Sequence, residues 1–135
     1  MEYIFYILIF MILLHIIDDF VLQPICLSKL KCKDIWIEAN KQYDNLYEND
    51  YKMALFIHGL SWSIMIHIPC IVYLLHINVN PSAFIFLSIF IHGGIHSIID
   101  NLKANKRKIN LITDQSLHFI QILIICTYMM AWFFI

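Results

Sequence analysis

The sequence predicts an all-α protein, a bundle of four membrane-spanning helices with a polar cytoplasmic segment between the first two. Three observations carry that prediction. Hydrophobic residues fill 61% of 135 positions and charged residues only 14%, more apolar surface than a soluble domain of this length can hide. The apolar residues fall into four runs, each near the ~20 residues that cross a bilayer as a helix. All nine Lys and Arg residues lie in two of the connecting segments or, for Lys103, at the edge of one, the pattern that a positive-inside bias produces.

The first span covers roughly residues 3–23 and ends at Pro24. It carries Glu2 and no Lys or Arg before its apolar run, and no small-residue cleavage site follows. It therefore reads as a membrane helix rather than a cleaved signal peptide. The segment 24–52 is polar. Its Leu27, Leu30, Ile35, Trp36 and Ile37 suit a short interfacial helix. The second span covers roughly 53–77, with a kink expected at Pro69. The third, roughly 82–103, opens after Asn80-Pro81 with Ser82 as a plausible start, and the fourth covers 111–135. No repeat or low-complexity linker interrupts the chain, so residues 1–135 read as one domain.

Loop one carries Lys29, Lys31, Lys33, Lys41 and Lys52, and loop three carries Lys103, Lys106, Arg107 and Lys108. Loops 24–52 and 104–110 are thus expected in the cytoplasm of a multi-pass inner-membrane protein, with both termini outward. A formal net charge of −1 argues against a nucleic-acid partner. The four cysteines, Cys26, Cys32, Cys70 and Cys126, show no CxxC spacing and do not suggest a disulfide framework.

Against this apolar background the ionisable residues stand out, because such groups are costly within a bilayer. His15 and Asp19, His96 and Asp100, and Asp114 and His118 are i,i+4 pairs, each on one helix face. Measured from the cytoplasmic ends of the spans, His15, His58, His96 and His118 fall about 7–12 Å in, and Asp19, Asp100 and Asp114 about 4–6 Å in. The topology deduced from the lysines thus sorts histidines and aspartates into two layers. Imidazoles and carboxylates are ordinary ligands for zinc and other first-row metals. His15, Asp19, His58, His96, Asp100, Asp114 and His118 are the candidate ligands for one or two divalent ions, with zinc the first choice. His15, His96 and His118 lead that set. Asp19, Asp100, Asp114 and Gln115 are the candidate catalytic groups: a carboxylate as general base, and Gln115, Gln23 or Lys103 as oxyanion stabilisers. An interhelical polar network without metal is the plainer alternative.

Other residues carry plainer readings. Asp18 points about 100° from Asp19 on a regular helix and suits interfacial placement or capping. His67 and His76 suit interhelical hydrogen bonding or an interface, His92 is a secondary site candidate, and Lys103 is a snorkelling or charge-balancing lysine. Gly93-Gly94 suits close helix packing and Trp62 core packing. No serine or cysteine has a convincing nucleophile–base placement, so covalent catalysis is disfavoured.

HxxxDFxxQ (His15, Asp19, Phe20, Gln23), the lone His58, HxxxDxxK (His96, Asp100, Lys103) and DQxxH (Asp114, Gln115, His118) occur in this order. That series resembles the small bacterial and phage membrane family catalogued as domain of unknown function 3307, over essentially the whole chain. The resemblance implies a four-span membrane protein and no established activity. Family members usually carry an aromatic residue and Asn-Lys soon after the glutamine. Here Lys31 stands for that lysine, and the loop to Met53 is longer. By analogy of site alone, the His- and Asp-lined helices are similar to membrane-bound metal-dependent hydrolases. Three functions follow as expectations: a zinc-type intramembrane hydrolase acting on a lipid or lipid-linked substrate, a proton or metal-ion transporter subunit, or a non-catalytic membrane module. A homo-oligomer or a protein partner at residues 25–52 would suit the last.

Overall fold

A computed structural model describes residues 2–43, 46–81 and 83–134. Helix α1 (Glu2–Ile17) runs into a π-helical turn, Asp18–Leu22. Two short helices follow, α2 (Ile25–Leu30) and α3 (Lys33–Gln42), then three long ones: α4 (Asp50–His76), α5 (Ala83–Ala104) and α6 (Leu111–Phe134). No strand occurs among the described residues. Four helical stretches, Tyr3–Leu22, Asp50–His76, Ala83–Ala104 and Leu111–Ala131, are long and apolar enough to cross a membrane. Ser82, the expected helix start, lies outside the described residues.

Local chemistry explains the ends. Pro24 adopts an extended conformation and ends the π-turn's run. Asn78, at φ 60°, closes α4: the Asn78 amide donates to Leu75 O and the Val79 amide to Leu74 O. That is the Schellman arrangement, with Asn in the left-handed position. Asn110 caps α6, its Oδ1 accepting from the Thr113 amide at 2.9 Å. Pro69 sits inside the continuous 27-residue α4, where it withdraws one backbone donor.

The four long elements form a ring in the order α1, α4, α5, α6, with α4 and α6 also in contact across it. Packing is closest between α4 and α5. A Cβ on Gly59 would lie 2.3 Å from Gly93 O, and one on Gly93 would lie 3.1 Å from Gly59 O. Ser97 Oγ donates across the same crossing to Leu55 O at 2.9 Å. Gly94 faces open space, so of the two neighbouring glycines expected to permit packing only Gly93 does so. Met11, Trp62, Ile66, Leu74, Ile85, Ile122, Ile125 and Met129 form a core beyond the polar layer. The outer surface is apolar too: Phe5, Phe10, Phe86, Phe90, Ile98 and Leu123 are all exposed.

The 24–52 segment folds back as two short helices rather than one. Lys33 N donates to Asn105 Oδ1 at 2.6 Å, and Asn105 Nδ2 donates to Lys31 O at 2.9 Å. These bonds hold the α2–α3 junction against the end of α5. Trp36 Nε1 donates to Leu30 O at 2.8 Å and fixes α3 against α2.

Candidate metal centre

The first element to shape the centre is the π-turn. Gln23 N donates to Asp18 O at 3.0 Å, an i→i+5 bond that widens the helix by one residue per turn. Asp18 and Asp19 consequently both face inward and bracket His58. Asp18 Oδ2 lies 3.9 Å from His58 Nδ1, and Asp19 Oδ1 lies 3.3 Å from His58 Nε2. Ser61 Oγ donates to Asp18 Oδ1 at 3.0 Å. The interfacial or capping placement expected for Asp18 does not hold, because it assumed a regular α-helical step.

Six of the seven candidate ligands are 3% exposed or less, and Asp19 is shielded by His58 and Gln115. Two donor triads stand out, each with all three ligand atoms within 4.8 Å of one another: Asp19, His58 and His96, and His96, Asp100 and His118. His118 Nε2 lies 3.4 Å from Asp100 Oδ1 and 3.6 Å from Asp114 Oδ1. His96 Nε2 lies 3.7 Å from Asp100 Oδ1 and 4.0 Å from Asp19 Oδ1. His58 Nε2 also approaches Asp100 Oδ2 at 3.5 Å.

These separations are too long for good N–H···O hydrogen bonds, which fall at about 2.7–3.2 Å. They are close to what a shared ion requires: ligand atoms about 2.0–2.1 Å from a tetrahedral metal stand about 3.3–3.4 Å apart. The hydrogen-bond inventory agrees. Asp19 Oδ1, Asp114 Oδ1, His96 Nε2 and His118 Nε2 are buried with no hydrogen-bond partner among the described residues. Buried polar atoms are rarely left so. Three of them, Asp19 Oδ1, His96 Nε2 and His118 Nε2, belong to residues of the two triads, a donor set that could hold a divalent ion.

His15 stands apart from the triads. Trp62 Nε1, which can only donate, gives its proton to His15 Nδ1 at 2.7 Å. In the neutral ring Nε2 then carries the hydrogen and donates to Gln115 Oε1 at 3.1 Å. That orients the Gln115 amide, whose Nε2 donates to Asp19 Oδ2 at 3.3 Å and to Asp114 Oδ2 at 3.2 Å. The relay Trp62, His15, Gln115 thus aims two carboxylates, the task of residues one layer out from a metal. The leading ligand role expected for His15 does not suit this arrangement, since both ring nitrogens are engaged. His58 joins His96 and His118 instead. Trp62, expected as packing alone, also stacks on His96 with centroids 4.3 Å apart.

Two lysines complete the charge pattern. Lys31 Nζ donates to Asp100 Oδ2 at 2.6 Å and is itself buried. Lys103 Nζ pairs with Asp114 Oδ2. Gln23 satisfies its surroundings when its Oε1 accepts from Lys31 Nζ at 2.8 Å and its Nε2 donates to Asp19 O at 3.2 Å. A cavity of about 50 Å³ opens here, with Lys31, Lys103 and Gln115 in its wall and Phe20 and Leu111 at its rim. His92 and His67 lie elsewhere, with Gln121, Ser88 and Tyr128.

Comparison with models of known families, with curated proteins and with solved structures finds no match to this chain.

Proposed function

We propose that this protein is a membrane-embedded, metal-dependent hydrolase of the zinc type, acting on a lipid or lipid-linked substrate at the cytoplasmic face. The observation that carries the reading is the pair of triads sharing His96, with its buried and unpartnered nitrogen and oxygen atoms. Membership of the family that the four motifs resemble belongs to the same proposal.

Two arguments favour one ion over two. The His96 Nε2 that approaches Asp19 is also the nitrogen that approaches Asp100, and one imidazole nitrogen binds one ion. The charges agree. Asp18, Asp19, Asp100 and Asp114 set four negative charges against the two positive charges of Lys31 and Lys103. With neutral histidines, a single divalent cation balances the remainder, and it also removes the cost of buried unpaired carboxylates.

His58, His96 and His118 with Asp19 and Asp100 would hold the ion. When bound, it would supply an acidified water and Lewis-acid polarisation of a carbonyl or phosphoryl oxygen. Asp114 Oδ1, unpartnered beside His118, is the carboxylate available to take a proton. Gln115 and Lys103 offer donors toward developing negative charge at the cavity wall. A cavity of about 50 Å³ admits a reacting group and a few waters, not a whole lipid. The exposed apolar rim residues Phe20 and Leu111 suit a substrate whose tail stays in the bilayer.

A transporter needs a polar path to the far face. Polar groups do continue outward through Gln121, His92, Ser88 and His67. Beyond them Cys70, Leu74, Ile85 and Met129 are buried and apolar, which favours hydrolysis over conduction.

The test is elemental analysis of detergent-purified protein after zinc loading, followed by turnover of lipid esters and lipid phosphates. One zinc per chain and activity that disappears in His96→Ala are expected. Purified, folded protein that takes up no divalent metal would sink the proposal.

A further inference from the structure

A second polar cluster lies outside the metal centre, and its protons can be assigned one by one. Ser63 O can only accept, so His67 Nδ1, at 2.6 Å, carries the hydrogen. The other nitrogen of the neutral ring, Nε2, then presents a lone pair. Ser88 Oγ lies 2.7 Å from it and donates. Tyr128, whose hydroxyl is also bonded to Ser88 Oγ, must donate in turn. The outcome is a serine whose proton points at an imidazole base, with that base held in one tautomer by a third group. Activated nucleophiles show this arrangement.

Position adds a second observation. Ser88 lies in α5 about 12 Å from His96 along the helix axis, at 1.5 Å per residue. It forms the floor of a separate cleft of about 220 Å³, together with His92 and Tyr128. The walls are Leu87 and Ile91, both exposed on the apolar outer surface. A closed interhelical tie would have no such opening. A cleft of this size and apolar lining, with Ser88 in it, suits one end of an acyl chain.

We propose that Ser88 and His67 form a nucleophile–base pair that accepts acyl groups from carboxylic esters of membrane lipids. Ser88 Oγ bonds to the ester carbonyl carbon while its proton passes to His67 Nε2. The tetrahedral adduct collapses, and the departing alkoxide takes that proton and leaves as the alcohol. The acyl group remains on Ser88 until water, giving a proton to His67 Nε2, bonds to its carbonyl carbon; the acyl–Oγ bond then breaks, Ser88 Oγ takes the proton back from His67, and the carboxylic acid leaves. Tyr128 O–H is the donor beside the nucleophile as the oxyanion forms. The step uses no metal.

A fluorophosphonate probe tests this without knowledge of the natural ester. It phosphonylates an activated serine and releases fluoride. The full chain in lipid nanodiscs, stripped of metal with EDTA, is expected to take up one probe per chain, mapped to Ser88 by mass spectrometry. Ser88→Ala should take up none. His67→Gln should slow labelling about 10²-fold or more, the usual contribution of a general base. Helical circular dichroism and a monodisperse size profile would verify that both variants fold. Wild-type protein that carries no adduct on Ser88, or labelling whose rate is unchanged in His67→Gln, overturns the proposal and leaves Ser88 as a tie between helices. Either result leaves the metal-centre reading untouched, because EDTA removes the metal from the experiment.

Discussion

Trp62 reaches the candidate metal centre through His15 and Gln115. Removing its indole N–H should therefore weaken the metal site without removing a ligand. In Trp62→Phe, His15 Nδ1 loses the indole donor, and the tautomer that aims Gln115 is no longer enforced. Loss of such outer-layer partners commonly costs 10–100-fold in metal affinity. A competition titration with a zinc chelator should show that weakening in Trp62→Phe with stoichiometry unchanged. His96→Ala, which removes the nitrogen common to both triads, should abolish binding. Equal loss in the two variants would contradict the layered assignment. Lys31 permits a sharper experiment. Its ammonium is buried against Asp100 Oδ2, so Lys31→Met leaves a buried carboxylate without its partner. Breaking a buried pair costs about 3–5 kcal/mol. Metal-free Lys31→Met should unfold at markedly lower temperature than wild type, and added zinc should recover most of the difference by engaging the same carboxylate. A Lys31→Met variant as stable as wild type without metal would argue against any tight pairing there.

At the scale of elements, the crossing of α4 and α5 sets where His58 and His96 meet. Gly59→Ala would drive a Cβ to 2.3 Å from the backbone oxygen of Gly93. A backbone oxygen cannot swing aside, so the helices must separate, at a cost of about 3 kcal/mol. Gly94→Ala meets nothing within 4 Å and should be neutral or up to about 1 kcal/mol stabilising through helix propensity. Thermal unfolding in detergent of the two variants side by side would separate these expectations. The same elements explain what could be read in advance. Four apolar runs, the i,i+4 spacing of His and Asp, and a topology drawn from lysines are enough to place His58, His96 and His118 in one layer and Asp100 in the layer next to it. Asp18 escaped because a π-turn changes the angular step, and no local signal in Asp18–Leu22 marks one. Lys31 was ambiguous because its meeting with Asp100 depends on α2 and α3 folding back onto α5, a tertiary event secured by Asn105. Gly59 lacked the doubled-glycine signal that drew attention to Gly93-Gly94. The Ser88–His67 contact joins two helices at positions with no shared spacing, so periodicity within either helix could not reveal it.

For the whole molecule, the orientation proposed for the bundle in a membrane decides which leaflet the candidate metal centre would face, and the cysteines offer a direct readout. Cys26 is exposed and Cys32 half-exposed in the segment that carries Lys29, Lys31 and Lys33, whereas Cys70 and Cys126 are buried in the bundle. The lysines predict that this segment is cytoplasmic. A membrane-impermeant maleimide added to intact spheroplasts should leave the wild-type protein unlabelled, and the same reagent after permeabilisation should label Cys26 first. The opposite end supplies the control. Asn78 lies in the exposed turn after α4, so Asn78→Cys on a background lacking Cys26 and Cys32 should react from outside. Because Asn78 adopts a positive φ, a cysteine there carries some strain, and the neighbouring Val79→Cys serves as a second outer reporter. Labelling of Cys26 in intact spheroplasts would invert the bundle and move the His/Asp layer to the outer face. Substrate would then have to be sought in the other leaflet, although the geometry of the metal centre would stand unchanged.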